Sequence, residues 1–303
     1  MGTPDFAVES LKELIKSHNV LAVISQPDKP KGRGKKLVNT PVKQFALDNG
    51  IEKIYQPEKI KDEEFIKQLE SLNADLFVVV AYGQILSEKV LNIPKYGCIN
   101  VHGSLLPKYR GAAPIQWSII NGEEKTGVTI MYMEKGLDSG DMILKEEIDI
   151  EEKENYKTLH DKMSVVGARA LIKAIELIET GKVDAQKQEH SQATYAPMIT
   201  KEMGHINWDN RSKDIINLIR GINPIPMAYT IYKDEIFKVS EAEEVLGYDG
   251  KIGEIVSIEK DGFVVKTKDT SVIIKEMQAK GGKRMKTSAY LRGHSIEKNI
   301  ILC

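Results

Sequence analysis

The stretch best suited to carry chemistry is Asn100-Val101-His102-Gly103-Ser104-Leu105-Leu106-Pro107, which begins in an apolar run and ends in a loop. On a strand, residues two apart share a face, so Asn100 and His102 point the same way. A carboxamide donor and an imidazole aimed at one spot can hold negative charge developing on an oxygen and move a proton. A second candidate is Gly136-Leu137-Asp138-Ser139-Gly140-Asp141, a loop that follows another strand pattern. From there the Asp138 carboxylate can reach the imidazole, fix its tautomer and favour its protonated form. Each piece alone has a plainer reading: His102 as a hydrogen-bonded histidine closing a strand, Asp138 as the turn former of Leu-Asp-Ser-Gly.

The elements that must position these groups alternate between helical and strand patterns. Phe6–Ser17, Val42–Asn49 and Glu63–Ser71 have helical spacing, and Tyr156–Thr180 is a long amphipathic helix that stops at Gly181. Val20–Ser25, Ala74–Tyr82, Cys98–His102 and Gly127–Met133 read as strands. Ala74–Tyr82 is almost wholly apolar, as a parallel strand buried on both faces would be. The alternation predicts an α/β fold, a Rossmann-like open parallel sheet with ligands at the carboxyl ends of its strands. After residue 181 the pattern changes. Residues 182–203 read as a polar linker, and residues 204–303 as a second domain. That domain has one helix near Ser212–Gly221, then short strand patterns at Ala228–Tyr232, Gly253–Ile258, Phe263–Lys268 and Ser271–Met277. Turn signals between them predict a small β-barrel, OB-like in type.

Composition narrows the function classes. The 303 residues carry a net charge of -1, so any nucleic-acid contact must come from local patches. Two exist. Lys29, Lys31, Arg33, Lys35 and Lys36 crowd one glycine-containing segment, and Lys280, Lys283, Arg284 and Lys286 with Arg292 form the other. Either reads as a solvated loop or as a surface for phosphates. Gly32-x-Gly34 lacks the third glycine of a dinucleotide fingerprint. Cys98 and Cys303 are too few for a disulfide framework or a Cys-rich zinc site, and His18, His160, His190, His205 and His294 have no metal-like spacing. No metal is expected. No run of about 18 apolar residues predicts a membrane span, and no signal peptide is read, so a cytoplasmic protein is expected.

INVHGSLLPKYRGAAPIQW (Ile99–Trp117) together with GLDSGDM (Gly136–Met142) resembles the signature of the folate-dependent formyltransferases. MGTPDFAV at the start and QPDKPKGRGKKL (Gln26–Leu37) resemble the branch of that family that acts on methionyl-tRNA. The resemblance implies 10-formyltetrahydrofolate as formyl donor, methionyl-initiator tRNA as acceptor, and a monomer. It implies that Asn100, His102 and Asp138 are a catalytic trio. It implies that Ser104, Leu105, Leu106 and Pro107 line the folate site, with Tyr82, Gly83, Gln84 and Ile85 at the pterin. Arg33, Lys35 and Lys36 would then follow the acceptor stem, and Lys283 and Arg284 the tRNA backbone. Rival readings are a relative acting on glycinamide ribonucleotide or an amino sugar, which lacks the basic insertion, and a non-catalytic tRNA-binding module, which needs no Asn/His/Asp set. Family members carry a short apolar strand ahead of Gly-Thr-Pro-Asp-Phe. This chain begins at Met1-Gly2, so the resemblance implies a gap in the sheet beside strands left unpaired.

Overall fold

The computed structural model describes residues 1–31 and 36–303; Arg33 and Lys35 lie outside the described residues. Two compact units result. The first comprises Met1–Pro114, Thr126–Asp149 and His160–Ala196, the second Ile115–Lys125, Ile150–Leu159 and Pro197–Cys303. The stretch read as a linker is thus divided, its residues as far as Ala196 belonging to the first unit.

In the first unit a four-stranded sheet runs in the order Phe77–Val79, Cys98–His102, Lys125–Tyr132, Met142–Asp149. The first pair is parallel, with Val79 beside Asn100. The second is antiparallel, with His102 beside Thr129 and Ile99 beside Tyr132. The all-parallel sheet expected from the alternation is therefore corrected to a mixed one. Parallel neighbours need a long, usually helical return across the sheet. Here the chain leaving His102 turns at the end of its strand, where Tyr109 and Gly111 meet His102 and Asp138, and the next strand pairs back in the opposite direction, with His102 beside Thr129. Met142–Asp149, whose second half carries the consecutive charges Lys145, Glu146 and Glu147, is a strand beyond those the sequence reading marks. It forms a hairpin with Lys125–Tyr132, and Asp138 sits in the connecting loop. The face opposite Asn100 and His102 packs on the helix Tyr156–Glu179, where a methyl added at Gly167 would meet Val101 at 2.9 Å.

A separate parallel pair, Val23–Ile24 with Ile54–Tyr55, completes the sheet system. Met1 and Gly2 lie between it and the main sheet. The Gly2 N–H donates to the Ile24 carbonyl at 2.9 Å, and the Val80 N–H to the Met1 carbonyl at 2.9 Å. The Met1 ammonium donates to the Val78 carbonyl at 2.7 Å. Burial pushes that ammonium down to about 6. Beyond Met1 a cavity of about 650 Å³ is lined by Leu11, Leu14, Ala22, Leu76 and Ile178, among others.

The second unit is an antiparallel sheet in the order Ala228–Tyr232, Glu235–Val245, Ser271–Gln278, Gly262–Lys266, Ile255–Glu259, with Met285–Lys286 added beside Ser271–Gln278. Its two edge strands do not pair with each other among the described residues, so the expected closed barrel is corrected to an open sheet. The reason lies in the last residues, which occupy the seam. Ile255 donates to Ile300, Leu302 to Gly253 and Ile231 to Cys303, at 2.8–2.9 Å. These bonds satisfy both edges without strand closure. Helix Ser212–Gly221 covers one face, placing Ile215 and Ile219 in a core with Phe237, Val239 and Ile274.

Candidate active site

Adjacent strands of the main sheet end side by side, so the loops that follow Phe77–Val79 and Cys98–His102 share one edge. In an open sheet of this kind, that edge binds ligands. Asn100 is half-buried, and its carboxamide has no hydrogen-bond partner among the described residues. Its donors are free to meet an incoming oxygen. His102 lies two residues on, on the same face, and is 5% exposed. Its Nε2–H donates to the Tyr109 carbonyl at 2.9 Å. A carbonyl can only accept, so this bond assigns the Nε2 proton. Nδ1 faces the Asp138 Oδ2 at 3.7 Å, an ion-pair separation too long for a hydrogen bond.

Asp138 is held in place from outside its loop. Its φ is +46° in the hairpin loop, a conformation uncommon for residues other than glycine, asparagine and aspartate. Oδ2 accepts from the Gly111 N–H at 2.8 Å. Gly111 itself has φ +119°, and a Cβ there would lie 2.8 Å from the Ala196 carbonyl oxygen, so only glycine fits. The Gln188 amide donates to the Asp138 and Gly140 carbonyls, both at 2.8 Å. The structure thus brings Asn100, His102 and Asp138 to one edge. It adds Tyr109, Gly111 and Gln188, which sequence reasoning missed. The first two act through backbone atoms, and Gln188 sits in a polar stretch without periodicity.

The residues expected at the folate divide into two sorts. Ser104 donates to the Lys108 carbonyl at 2.6 Å and is fully buried. Leu106 is buried with Met131 and Met142, and its N–H donates to Thr129 Oγ1 at 3.1 Å. Both build the loop. Gln84 spends its carboxamide on the backbone of Pro57, Glu58 and Ile60. Tyr82 is buried, and its phenol, without a partner, is pushed up to about 12 by burial. Gly83 and Ile85 are exposed, Ile85 at 89%, and Leu105 and Pro107 are half-exposed. Those four form the part of the set that a flat apolar ring could cover.

The cationic candidates are placed less evenly. Lys36 is exposed on a short hairpin that pairs Lys29–Lys31 with Lys36–Val38. Arg284 meets Glu276 and Asn223, Lys286 meets Glu241, and Lys280 meets Glu235. Lys283 is exposed and has no such partner among the described residues. Also among the described residues, no group of three or more His, Cys, Asp or Glu side chains is placed to hold a metal, and no helix is long and apolar enough to cross a membrane.

Comparison with known proteins gives the family. The chain is 50% identical to methionyl-tRNA formyltransferase of Clostridioides difficile, over all of this chain and 98% of the relative. It is 49% identical to the protein of the same name from Caldanaerobacter subterraneus, with the same coverage. Among solved structures, the fold is similar to a sugar 3N-formyl transferase, WlaRD, crystallised with dTDP and 5-N-formyl-THF (TM-score 0.67, 23% identity, 93% of this chain and 97% of the other). It is also similar to HypX from Aquifex aeolicus in complex with tetrahydrofolic acid (TM-score 0.59, 16% identity, 84% of this chain and 47% of the other). The formyl transferase profile matches residues 1–175, and that of the formyl transferase C-terminal domain matches residues 198–295; this chain belongs to the formyl transferase family.

Proposed function

We propose that this chain transfers the formyl group of 10-formyltetrahydrofolate to the amino group of methionyl-initiator tRNA, giving N-formylmethionyl-tRNA for translation initiation. The observation that carries the chemistry is the unpartnered Asn100 amide on the same strand face as His102, whose Nδ1 faces Asp138 at 3.7 Å. The acceptor follows from the full-length relatives named methionyl-tRNA formyltransferase. The folate supplies a formyl carbon activated on nitrogen. When an amine attacks that carbon, charge builds on the formyl oxygen. Asn100 donates to that oxygen, His102 in its cationic form stabilises the charge with Asp138 as counter-ion, and the proton lost by the attacking amine passes to the leaving folate nitrogen. Ile85, Gly83, Leu105 and Pro107 offer the apolar contact a pterin needs. Such an enzyme works where translation occurs, in the cytoplasm, and we read it as a monomer. The C-terminal sheet is its tRNA-binding, OB-like part, and Lys283, exposed and without an ion-pair partner among the described residues, is one cation there placed to contact the backbone.

The direct test is formyl transfer by the purified chain from 10-formyltetrahydrofolate to charged initiator tRNA, with charged elongator tRNA and a nucleotide-linked amino sugar as alternative acceptors. Transfer to the sugar alone would overturn the acceptor. The Lys29–Lys36 segment should sense tRNA rather than folate, because a line of phosphates needs several cations and a small folate needs few. Arg33→Ala with Lys35→Ala should raise KM for methionyl-tRNA and reduce the slope of log affinity against log salt by roughly 0.7–0.9 for each lost contact. KM for folate should be unchanged. The opposite pattern would give the segment to folate.

A further inference from the structure

We propose that Gln188 is the positioning residue that holds Asp138 toward His102. The proposal deepens the catalytic reading of that pair and rests on it. Glu134–Leu137, the residues leading into Asp138, are exposed, and Asp138 has positive φ, so the loop needs an external hold. Gln188 supplies one. It is 5% exposed. Both protons of its Nε2 go to loop carbonyls, Asp138 and Gly140, at 2.8 Å each. Its Oε1 accepts from Arg110 Nε at 3.0 Å and Nη2 at 2.6 Å. A carboxamide has two donor and two main acceptor positions, and all four are used. Rotating it by 180° would set the NH2 against the guanidinium and the oxygen against two carbonyls, so its orientation is determined.

The far side of this contact is equally fixed. Arg110 is 4% exposed and, besides Gln188, donates to His190 Nδ1 at 3.1 Å. Among the described residues no carboxylate lies within ion-pair distance of it, so the neutral Gln188 tethers Arg110 without adding a second negative charge beside Asp138. The neighbours of Arg110 complete a ring, since the Tyr109 carbonyl takes the His102 Nε2–H and the Gly111 N–H binds Asp138 Oδ2. Both nitrogens of His102 are therefore referred, through one three-residue segment and one glutamine, to the same buried anchor.

Gln188→Glu separates positioning from packing. A glutamate keeps the Arg110 contact as an ion pair, but it loses both donors and turns an anionic oxygen toward the carbonyls of Asp138 and Gly140. The full-length enzyme is assayed as Gln188→Glu, Asp138→Asn and the double variant, with melting temperature, kcat and both KM values measured. The expected result for Gln188→Glu is a melting temperature within a few degrees of the parent, kcat lower by about tenfold or more, and KM for folate unchanged, the same split between kcat and KM as in Asp138→Asn. In the double variant the Gln188→Glu effect should largely vanish, because the two act through one group. If Gln188→Glu fails to fold, Gln188→Met, which brings no charge, is read by the same criteria. Normal kcat, or full additivity, would overturn the positioning role while Asp138→Asn remains impaired. A silent Asp138→Asn would instead remove the catalytic reading beneath it.

Discussion

Replacing Asn100 or His102 with alanine is expected to slow formyl transfer by at least about a hundredfold while the fold survives, because each change removes a group that acts on charge present only in the transition state. The two variants test different things. Asn100 is half-buried and its amide is unpartnered among the described residues, so Asn100→Ala breaks no internal bond and leaves the Asn100–Met131 register intact. Any loss of rate then belongs to the lost donor. His102→Ala also removes the donor to the Tyr109 carbonyl. Losing that donor beside a buried carbonyl costs about 1–3 kcal/mol of stability, too little to unfold a domain of ordinary stability. Both variants should show reduced kcat with little change in KM for folate, and circular dichroism should be that of the parent. Near-normal turnover in either would sink the assignment of that residue.

The second large effect is expected for Asp138→Asn, which should lower kcat by about tenfold to a hundredfold and leave folate binding intact. Asparagine suits this test. It tolerates the positive φ recorded at this position better than most residues, and its amide oxygen can still accept from the Gly111 N–H. Loop shape is retained and only the charge facing His102 Nδ1 is removed. The Asp138 anion faces Nδ1 at 3.7 Å, within ion-pair reach of a cationic imidazole. The measurement is kcat beside KM for folate. A variant with the parent's rate would make Asp138 a turn residue and nothing more.

The parts of this protein legible from its residues are those governed by local periodicity and local chemistry. A period of two puts Asn100 and His102 on one face, and the structure has them on one strand, Cys98–His102. Helical spacing marked Phe6–Ser17 and the long helix that ends at Glu179, two residues before Gly181. Of the apolar run before Tyr82, Phe77, Val79 and Val80 are buried, Leu76 and Val78 are half-buried, and only Phe77–Val79 is strand. The family was legible as well, because two long motifs carry enough specific residues to admit few alternatives.

The tertiary structure alone decided pairing direction, edge closure and the partners of the catalytic groups. Lys125–Tyr132 runs antiparallel to Cys98–His102, and a strand's own side chains report which face is buried, not which way a neighbour runs. The C-terminal sheet stays open because residues 300–303 satisfy both of its edges, a substitution of backbone for backbone that leaves no side-chain signature. Gln188 reaches Arg110 across 78 residues and Asp138 across 50. Nothing in a polar stretch announces such a contact, since an amide's partners are chosen by where the fold places two carbonyls and a guanidinium. The residue types named the chemistry, and only the fold supplied the buried scaffold that orients it.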